Sequence, residues 1–517
     1  MQKQGKLLKT AGFMVFATLL AKVFGMLRDM LLAANYGTTM QAVAYETASR
    51  VPLLLFDFVI GGVVTASFIP IFNEILERKN KDEAMRFAND YVNFILMVTI
   101  VITLAGIVFS PWLIQFLAPE IAPETKALAV NLSNIMFPMI IFTGLAFSFV
   151  GILQSFGEFN IPSIISLVSN SVMILYFFTF NNKFGIYGLA VTMLIGWGLQ
   201  AVVQIPKLLQ FGYRYRPSFP FTSPYIKRAL RMALPILVST WMQPVCTLIN
   251  TRFASGIEGG RAISALRYAN NLYIIVVGIF SFVATNLLFP YLSRAFAAGR
   301  RDEAKKLTVT SLKSLALIIL PIMAGFMLLS VPLVSLIYER KAFTPSDVSM
   351  TATALMFYAV GMIGMAFNEI LNKLFFSLQD AKTPMVTSVI SMAANVLLAV
   401  VLSGTMGIGG IALASGLAAI INAILNYIFM VKKNGRLLSG GDALDLIKML
   451  LATGIMAAAV WFLYGACAGM SRLWQVALPT LGGAAVYGAA CLLLRITEVK
   501  TLTGMVLGRL KKDGKEN

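Results

Sequence analysis

Long apolar runs alternate with short polar breaks along the whole chain, and most of the runs are of membrane-spanning length. A helix rises 1.5 Å per residue, so roughly 20 apolar residues cross a bilayer. The pattern predicts helices near residues 11–34, 43–73, 88–112, 128–155, 162–180, 186–206, 229–251, 267–293, 310–331, 350–377, 384–403, 407–431, 445–466 and 474–495. The expected class is an all-α polytopic membrane protein with about 14 transmembrane helices.

Parts of the pattern recur about 220 residues apart. FIPIFNEILERKNKDEAMR (68–86) aligns with LFPYLSRAFAAGRRDEAKK (288–306), SFGEFNIP (155–162) with SLQDAKTP (377–384), and GIYGLA (185–190) with GIGGIA (407–412). One repeat holds six predicted helices, an even number, so both copies enter the membrane from the same side. Parallel repeats about an axis along the membrane normal occur in transporters that rock two halves around a central cavity. The expected organisation is an N-lobe over 1–212, a C-lobe over 213–433, two extra helices over 434–497 and a basic tail over 498–517.

Composition supports the membrane assignment. Of 517 residues, 58% are hydrophobic and only 13% charged, whereas a soluble domain carries about 25% charged residues. The formal net charge of +19 follows largely from ERKNKDEAMR, the segment Lys207 to Arg231, RAFAAGRRDEAKK and GRLKKDGKEN. Basic loops stay inside, so these loops and both termini are expected to be cytoplasmic, where they also attract anionic membrane lipids. Nucleic acid is not an expected partner, because no soluble domain remains to bind it. Histidine is absent, and Cys246, Cys467 and Cys491 lie far apart in apolar runs. That spacing predicts packing roles and neither a metal site nor a cofactor.

Charge within the first helices needs a separate reason. AKVFGMLRDMLLA (21–33) places Lys22 near the bilayer midplane, with Arg28 and Asp29 further out. Helix 2 carries Glu46 and Arg50 one turn apart, and Asp57 returns to the same face. A charge at the bilayer centre costs at least roughly 2.5–3.5 kcal/mol against lipid. These side chains must therefore pair with one another, snorkel to the interface or line a polar cavity. A cationic cavity wall would suit an anionic substrate. Helix 8 adds Arg267, Asn270 and Asn271 at the place in the second repeat that matches Glu46 to Arg50, and helix 10 carries Asn368, Glu369 and Lys373. The scattered carboxylates form no cluster suited to a metal or a catalytic base, so no catalytic residue and no enzyme activity is expected.

The segments AKVFGMLRD, GGVVTASFIP (61–70), FLAPEIAPETKALAV (116–130), KAFTPSDVSMTATALMFYAVG (341–361) and FFSLQDAKTP (375–384) occur in order over nearly the whole chain. In these the chain resembles the MurJ (MviN) lipid II flippases of the multidrug/oligosaccharidyl-lipid/polysaccharide exporter superfamily. The resemblance implies two six-helix lobes, alternating access, and export of undecaprenyl-pyrophosphate-linked disaccharide-pentapeptide across the bacterial cytoplasmic membrane. It further implies that helices 13 and 14 help form a groove for the lipid tail, and that cell-wall synthesis proteins are candidate partners. Lys22 and Arg28 match the family's two basic helix 1 positions, with lysine in place of the usual arginine at the first.

Other positions depart. Val43 stands where the family often has an acid, Phe56 where it often has a base, and Asn271 where it often has arginine; Arg267 lies one turn from Asn271. Helices 7, 11 and 12 have no carboxylate, unlike family members with a sodium site. The expected substrate-binding set is Lys22, Arg28, Arg50, Arg267, Asn270 and Asn271, with Asp29, Glu46 and Asp57 orienting the cations. A polysaccharide or lipid-linked oligosaccharide exporter, or a cation-coupled drug antiporter of the same superfamily, is the alternative function. An antiporter of that kind would favour acidic cavity residues.

Overall fold

The computed structural model describes residues 2–59, 67–278, 300–378, 380 and 382–499, and these contain helices, turns and no strand. The helices are α1 (Gln2–Tyr36), α2 (Met40–Val59), α3 (Ile69–Arg78), α4 (Lys81–Leu117), α5 (Pro123–Met136), α6 (Met139–Ser155), α7 (Asn160–Thr179), α8 (Asn181–Val202), α9 (Ile205–Gln210), α10 (Pro224–Thr240) and α11 (Met242–Ala254). A helix over 261–278 follows as α12. The remainder are α13 (Arg301–Leu328), α14 (Ser330–Tyr338), α15 (Pro345–Ala359), α16 (Met362–Ser377), α17 (Lys382–Met406), α18 (Ile408–Asn434), α19 (Gly440–Ala466) and α20 (Arg472–Leu493).

Among the described residues nine helices are long and apolar enough to cross a membrane, and ten if the α15–α16 pair, bent by 45°, is one span. The helices α1, α2, α10 with α11, and α12 occupy the other expected positions, and they include those that carry the candidate charges. The expected helix over 43–73 is described as α2 and α3, with 60–66 outside the described residues. The rest of the expected helix 8, residues 294–299 of RAFAAGRRDEAKK and the tail beyond 499 also lie outside them.

The chain forms two compact units. One comprises Met1–Ser264 with Arg340–Phe343, the other Ala265–Glu339 with Thr344–Asn517. Inside the first, α8 packs on α5, α6 and α7, and α4 packs on α5 and α6. Inside the second, α18 packs on α15, α16 and α17, and α13 packs on α15 and α16. The same partners recur at the repeat spacing. The SFGEFNIP and SLQDAKTP matches mark one shared device. Glu158 accepts the Asn160 backbone N–H at 2.9 Å and pairs with Lys207 at 3.7 Å. Asp380 accepts the Thr383 N–H at 3.1 Å and pairs with Lys433 at 2.6 Å. In each unit an acid thus satisfies the exposed donors at the start of a helix and holds a lysine from a later one.

Compactness and repetition divide the chain at different places. The change of unit falls at Ser264 rather than at the repeat boundary near 212, because α10 and α11 pack on α2 and α4. The segment leading into α10 is stitched to α3 and α4. Asn89 donates to the Arg214 carbonyl at 3.1 Å and accepts from the Arg216 N–H at 2.9 Å. Arg228 donates to Glu74 at 2.7 Å, and that hydrogen bond holds the Glu74 carboxyl below the usual carboxylate range.

Membrane helices approach most closely where side chains are small. A Cβ on Gly361 would lie 2.5 Å from the Gly416 Cα, and one on Gly364 would lie 2.6 Å from the Ile420 backbone nitrogen. Both obstacles are backbone, so α16 and α18 would have to separate. Gly361→Ala is expected to cost about 1–3 kcal/mol by overpacking, visible as a lower melting temperature of the purified protein. An unchanged melting temperature would show that the two helices separate freely at this point.

The two C-terminal helices belong to the second unit. α19 packs on α13 and α20, and Leu317, Leu320, Met449, Ala452, Met456 and Tyr487 form part of one buried cluster. Cys491 lies in the same cluster, in the packing role the sequence predicts. The Tyr487 hydroxyl donates to the Leu317 carbonyl at 2.9 Å. Next to this contact Lys313 of α13 meets Asp442 at 2.9 Å, Asp445 at 2.7 Å and Glu498 at 2.6 Å.

Candidate functional site

The first unit holds six of the candidate residues, three on α1 and three on α2. On α1, residues Ala21, Gly25 and Arg28 repeat at helical spacing and form one stripe, and α1 packs on α7. Lys22 is turned about 100° from Ala21. Its side chain is partly exposed, and it makes no hydrogen bond or ion pair among the described residues.

Arg28 is held from two sides. Its Nε and Nη2 donate to Asp29 Oδ1 at 3.0 and 2.7 Å, and Nη1 donates to Asn170 Oδ1 of α7 at 3.0 Å. The Asp29 side chain is 5% exposed and that of Arg28 24%. Internal pairing therefore accounts for part of the charge on α1, but not for Lys22. On α2, Glu46 is fully buried, and Arg50 Nη1 donates to Thr251 Oγ1 of α11 at 3.2 Å. Asp57 is exposed and makes no ion pair among the described residues. Val43 and Phe56, which depart from the family pattern, are both buried, and Phe56 packs on Phe147 with ring centroids 5.6 Å apart.

The second unit holds Arg267, Asn270 and Asn271 on α12. Their spacing puts them on one face, and all three are partly exposed. Buried tyrosines fix the rest of that helix. Tyr268 contacts the ring of Tyr338, with centroids 5.2 Å apart, and Tyr273 stacks on Tyr358 of α15 at 5.7 Å. The helix 10 trio separates by face. Asn368 is buried, donates to the Ala419 carbonyl at 2.9 Å and accepts from Asn426 at 3.0 Å, whereas Glu369 is exposed. Asn368 therefore serves the packing of α16 on α18.

The second unit also contains an apolar cavity of about 300 Å³ between α13, α16, α18 and α19, with Leu312, Phe367, Ile420, Tyr427 and Leu446 among its lining residues. No polar group converges on it, so it suits a hydrocarbon chain and not a headgroup.

Sequence reasoning missed Asn170, Thr251 and the carboxylates around Lys313. A buried asparagine in the apolar run of α7 was a usable signal, because polar side chains inside membrane helices need partners. Which partner each has is a matter of tertiary structure.

A family model for "Lipid II flippase MurJ" matches residues 32–479. The chain belongs to this family. A "Probable lipid II flippase MurJ" of Rhizobium meliloti (strain 1021) is 30% identical over 458 residues, covering 86% of this chain and 84% of that protein. Among solved structures, a "Lipid II flippase MurJ, inward closed conformation" has a TM-score of 0.81 at 23% identity, covering 93% of this chain and 98% of that one. An inward-facing multidrug resistance MATE family transporter of the MOP superfamily has a TM-score of 0.69 at 15% identity, covering 80% and 95%. At those identities the two structures show a shared fold. The all-α polytopic class expected from the hydrophobic pattern is the class observed, and the chain is a multi-span membrane protein of the MurJ family.

Proposed function

We propose that this protein moves lipid II from the inner to the outer leaflet of the bacterial cytoplasmic membrane by alternating access, with cations on α1 holding the pyrophosphate. Family membership gives the reaction class. One observation carries the site: Lys22, inside a membrane helix, is partly exposed and has no anionic partner among the described residues. A buried or half-buried ammonium costs too much to keep there without an anion to meet. A pyrophosphate is a compact multiple anion, which Lys22 and the remaining donors of Arg28 hold strongly where the dielectric is low. Arg50 is a third cation of the same unit, where Asp29, Glu46 and Asp57 set the charge balance; within the second unit, Arg267, Asn270 and Asn271 are the proposed substrate-binding residues. The apolar cavity beside α19 is the proposed seat for part of the prenyl tail.

No covalent step is needed. The protein lowers the barrier for carrying a polar headgroup through hydrocarbon. The deciding experiment is complementation of a conditional lipid II flippase depletion strain, together with a lipid II export assay. Growth without export would point to another exported lipid-linked saccharide, and neither growth nor export would reject the reading.

The proposed orientation has its own test. Ser218 is exposed in the basic segment before α10. With the three native cysteines replaced, a Ser218→Cys variant is expected to resist an impermeant thiol reagent in intact cells and to react after lysis. Labelling in intact cells would reverse the topology.

A further inference from the structure

We infer that Asn170 of α7 is a positioning residue that fixes the direction of the Arg28 guanidinium, and with it the ability of the site to distinguish a pyrophosphate from a single phosphate. The inference rests on the reading of Arg28 as a substrate-binding cation.

Asn170 is 8% exposed and faces the stripe of α1 formed by Ala21, Gly25 and Arg28. Its Nδ2 donates to the Ala21 carbonyl at 3.3 Å, and its Oδ1 accepts from Arg28 Nη1 at 3.0 Å. Gly25 leaves the amide room, since even a Cβ there would stand 3.5 Å from Asn170 Nδ2. The two contacts fix the amide's sense. Flipping it would set an oxygen against the Ala21 carbonyl and an NH2 group against a guanidinium, which only donates.

Asp29 grips the other side of the guanidinium through Nε and Nη2. Three of the five guanidinium N–H donors are thus committed and two remain. Asp29 sits beside Arg28 on the same helix and holds one edge of the guanidinium. Asn170 belongs to another helix and ties the arginine plane to α7. A neutral amide also suits the role: it orients the arginine without cancelling its charge, as a second carboxylate would. A planar fork held in one direction matches paired phosphate oxygens, whereas a free arginine would meet any anion as a diffuse charge.

The test uses the full-length purified protein and two probes, undecaprenyl pyrophosphate and undecaprenyl monophosphate, with affinities measured by native mass-spectrometric titration. Asn170→Ala is expected to weaken pyrophosphate binding about tenfold, the scale of a hydrogen bond to a charged group, and monophosphate binding much less. The preference between the two then collapses, with a loss of melting temperature no larger than that of Arg28→Ala. Asn170→Asp, which keeps the shape, is expected to lose the same preference by neutralising Arg28. A purely structural role would weaken both lipids together. An unchanged preference in both variants, or an equal loss for both lipids, overturns the inference.

Arg28→Ala separates the two levels of the argument. If it too leaves the preference intact, Arg28 is not the phosphate-binding cation and the site reading falls. If Arg28→Ala removes the preference and the Asn170 variants keep it, only the positioning role falls.

Discussion

Replacing Lys22 or Arg28 by alanine is expected to abolish complementation of a flippase-depleted strain and to stop lipid II export, with protein levels close to wild type. The direction follows from the two residues' surroundings. Lys22 has no partner among the described residues, so Lys22→Ala removes a costly charge from a membrane helix and breaks no described contact. Folding should tolerate that change or improve, and only substrate binding can lose. Arg28→Ala removes hydrogen bonds to Asp29 and Asn170, so a modest loss of stability accompanies the loss of function. Lys22→Arg is expected to keep activity, because it keeps the charge and restores the residue usual in the family. Immunoblotting of membranes beside the export assay checks each point. Normal export by both alanine variants would mean that these charges are only internal pairs or interfacial anchors, and the cationic-site mechanism would be wrong.

Lys313→Met is expected to destabilise the protein more strongly than Gly361→Ala. The Lys313 side chain is 7% exposed and meets three carboxylates, of which those of Asp445 and Glu498 are 10% and 6% exposed. Methionine fills a similar volume but leaves those carboxylates buried without their cation. Removing one partner of a buried ion pair costs roughly 3–5 kcal/mol. Asp442 suffers least, because it is more exposed and the Ser439 hydroxyl and backbone N–H already donate to it at 2.6 and 2.9 Å. The measurement is the melting temperature and monodispersity of the purified protein, with export in cells as a second readout. Neutralising the acids as well, in the triple variant Lys313→Met, Asp445→Asn, Glu498→Gln, should recover most of the loss. If the single variant melts with the wild type, the cluster does not hold α13, α19 and the segment after α20 together.

The sequence by itself determined the class, most of the helical spans and the repeat. Bilayer thickness sets a minimum length for an apolar helix, so runs such as 88–112 and 407–431 announce their structure without any tertiary information. The repeat was legible for a similar reason. The acids of SFGEFNIP and SLQDAKTP cap helices and pair with lysines in both units, and a local device of that kind leaves a local signature. The family could also be read, because its motifs are contiguous, and so could the presence of charge on α1 and α2.

What that charge does was decided only by the tertiary structure. Whether a membrane-embedded cation is satisfied depends on residues far away in sequence. Arg28 is braced by Asn170, 142 positions on, and Arg50 meets Thr251, 201 positions on, while Lys22 meets no described partner. Helical spacing gives the direction of each side chain from its own axis but says nothing of the neighbour it reaches. The same limit hid the Lys313 cluster, whose acids come from α19 and from beyond α20. It also hid the place where the chain changes from one compact unit to the next, because packing of α10 and α11 on α2 and α4, not similarity of sequence, sets that boundary.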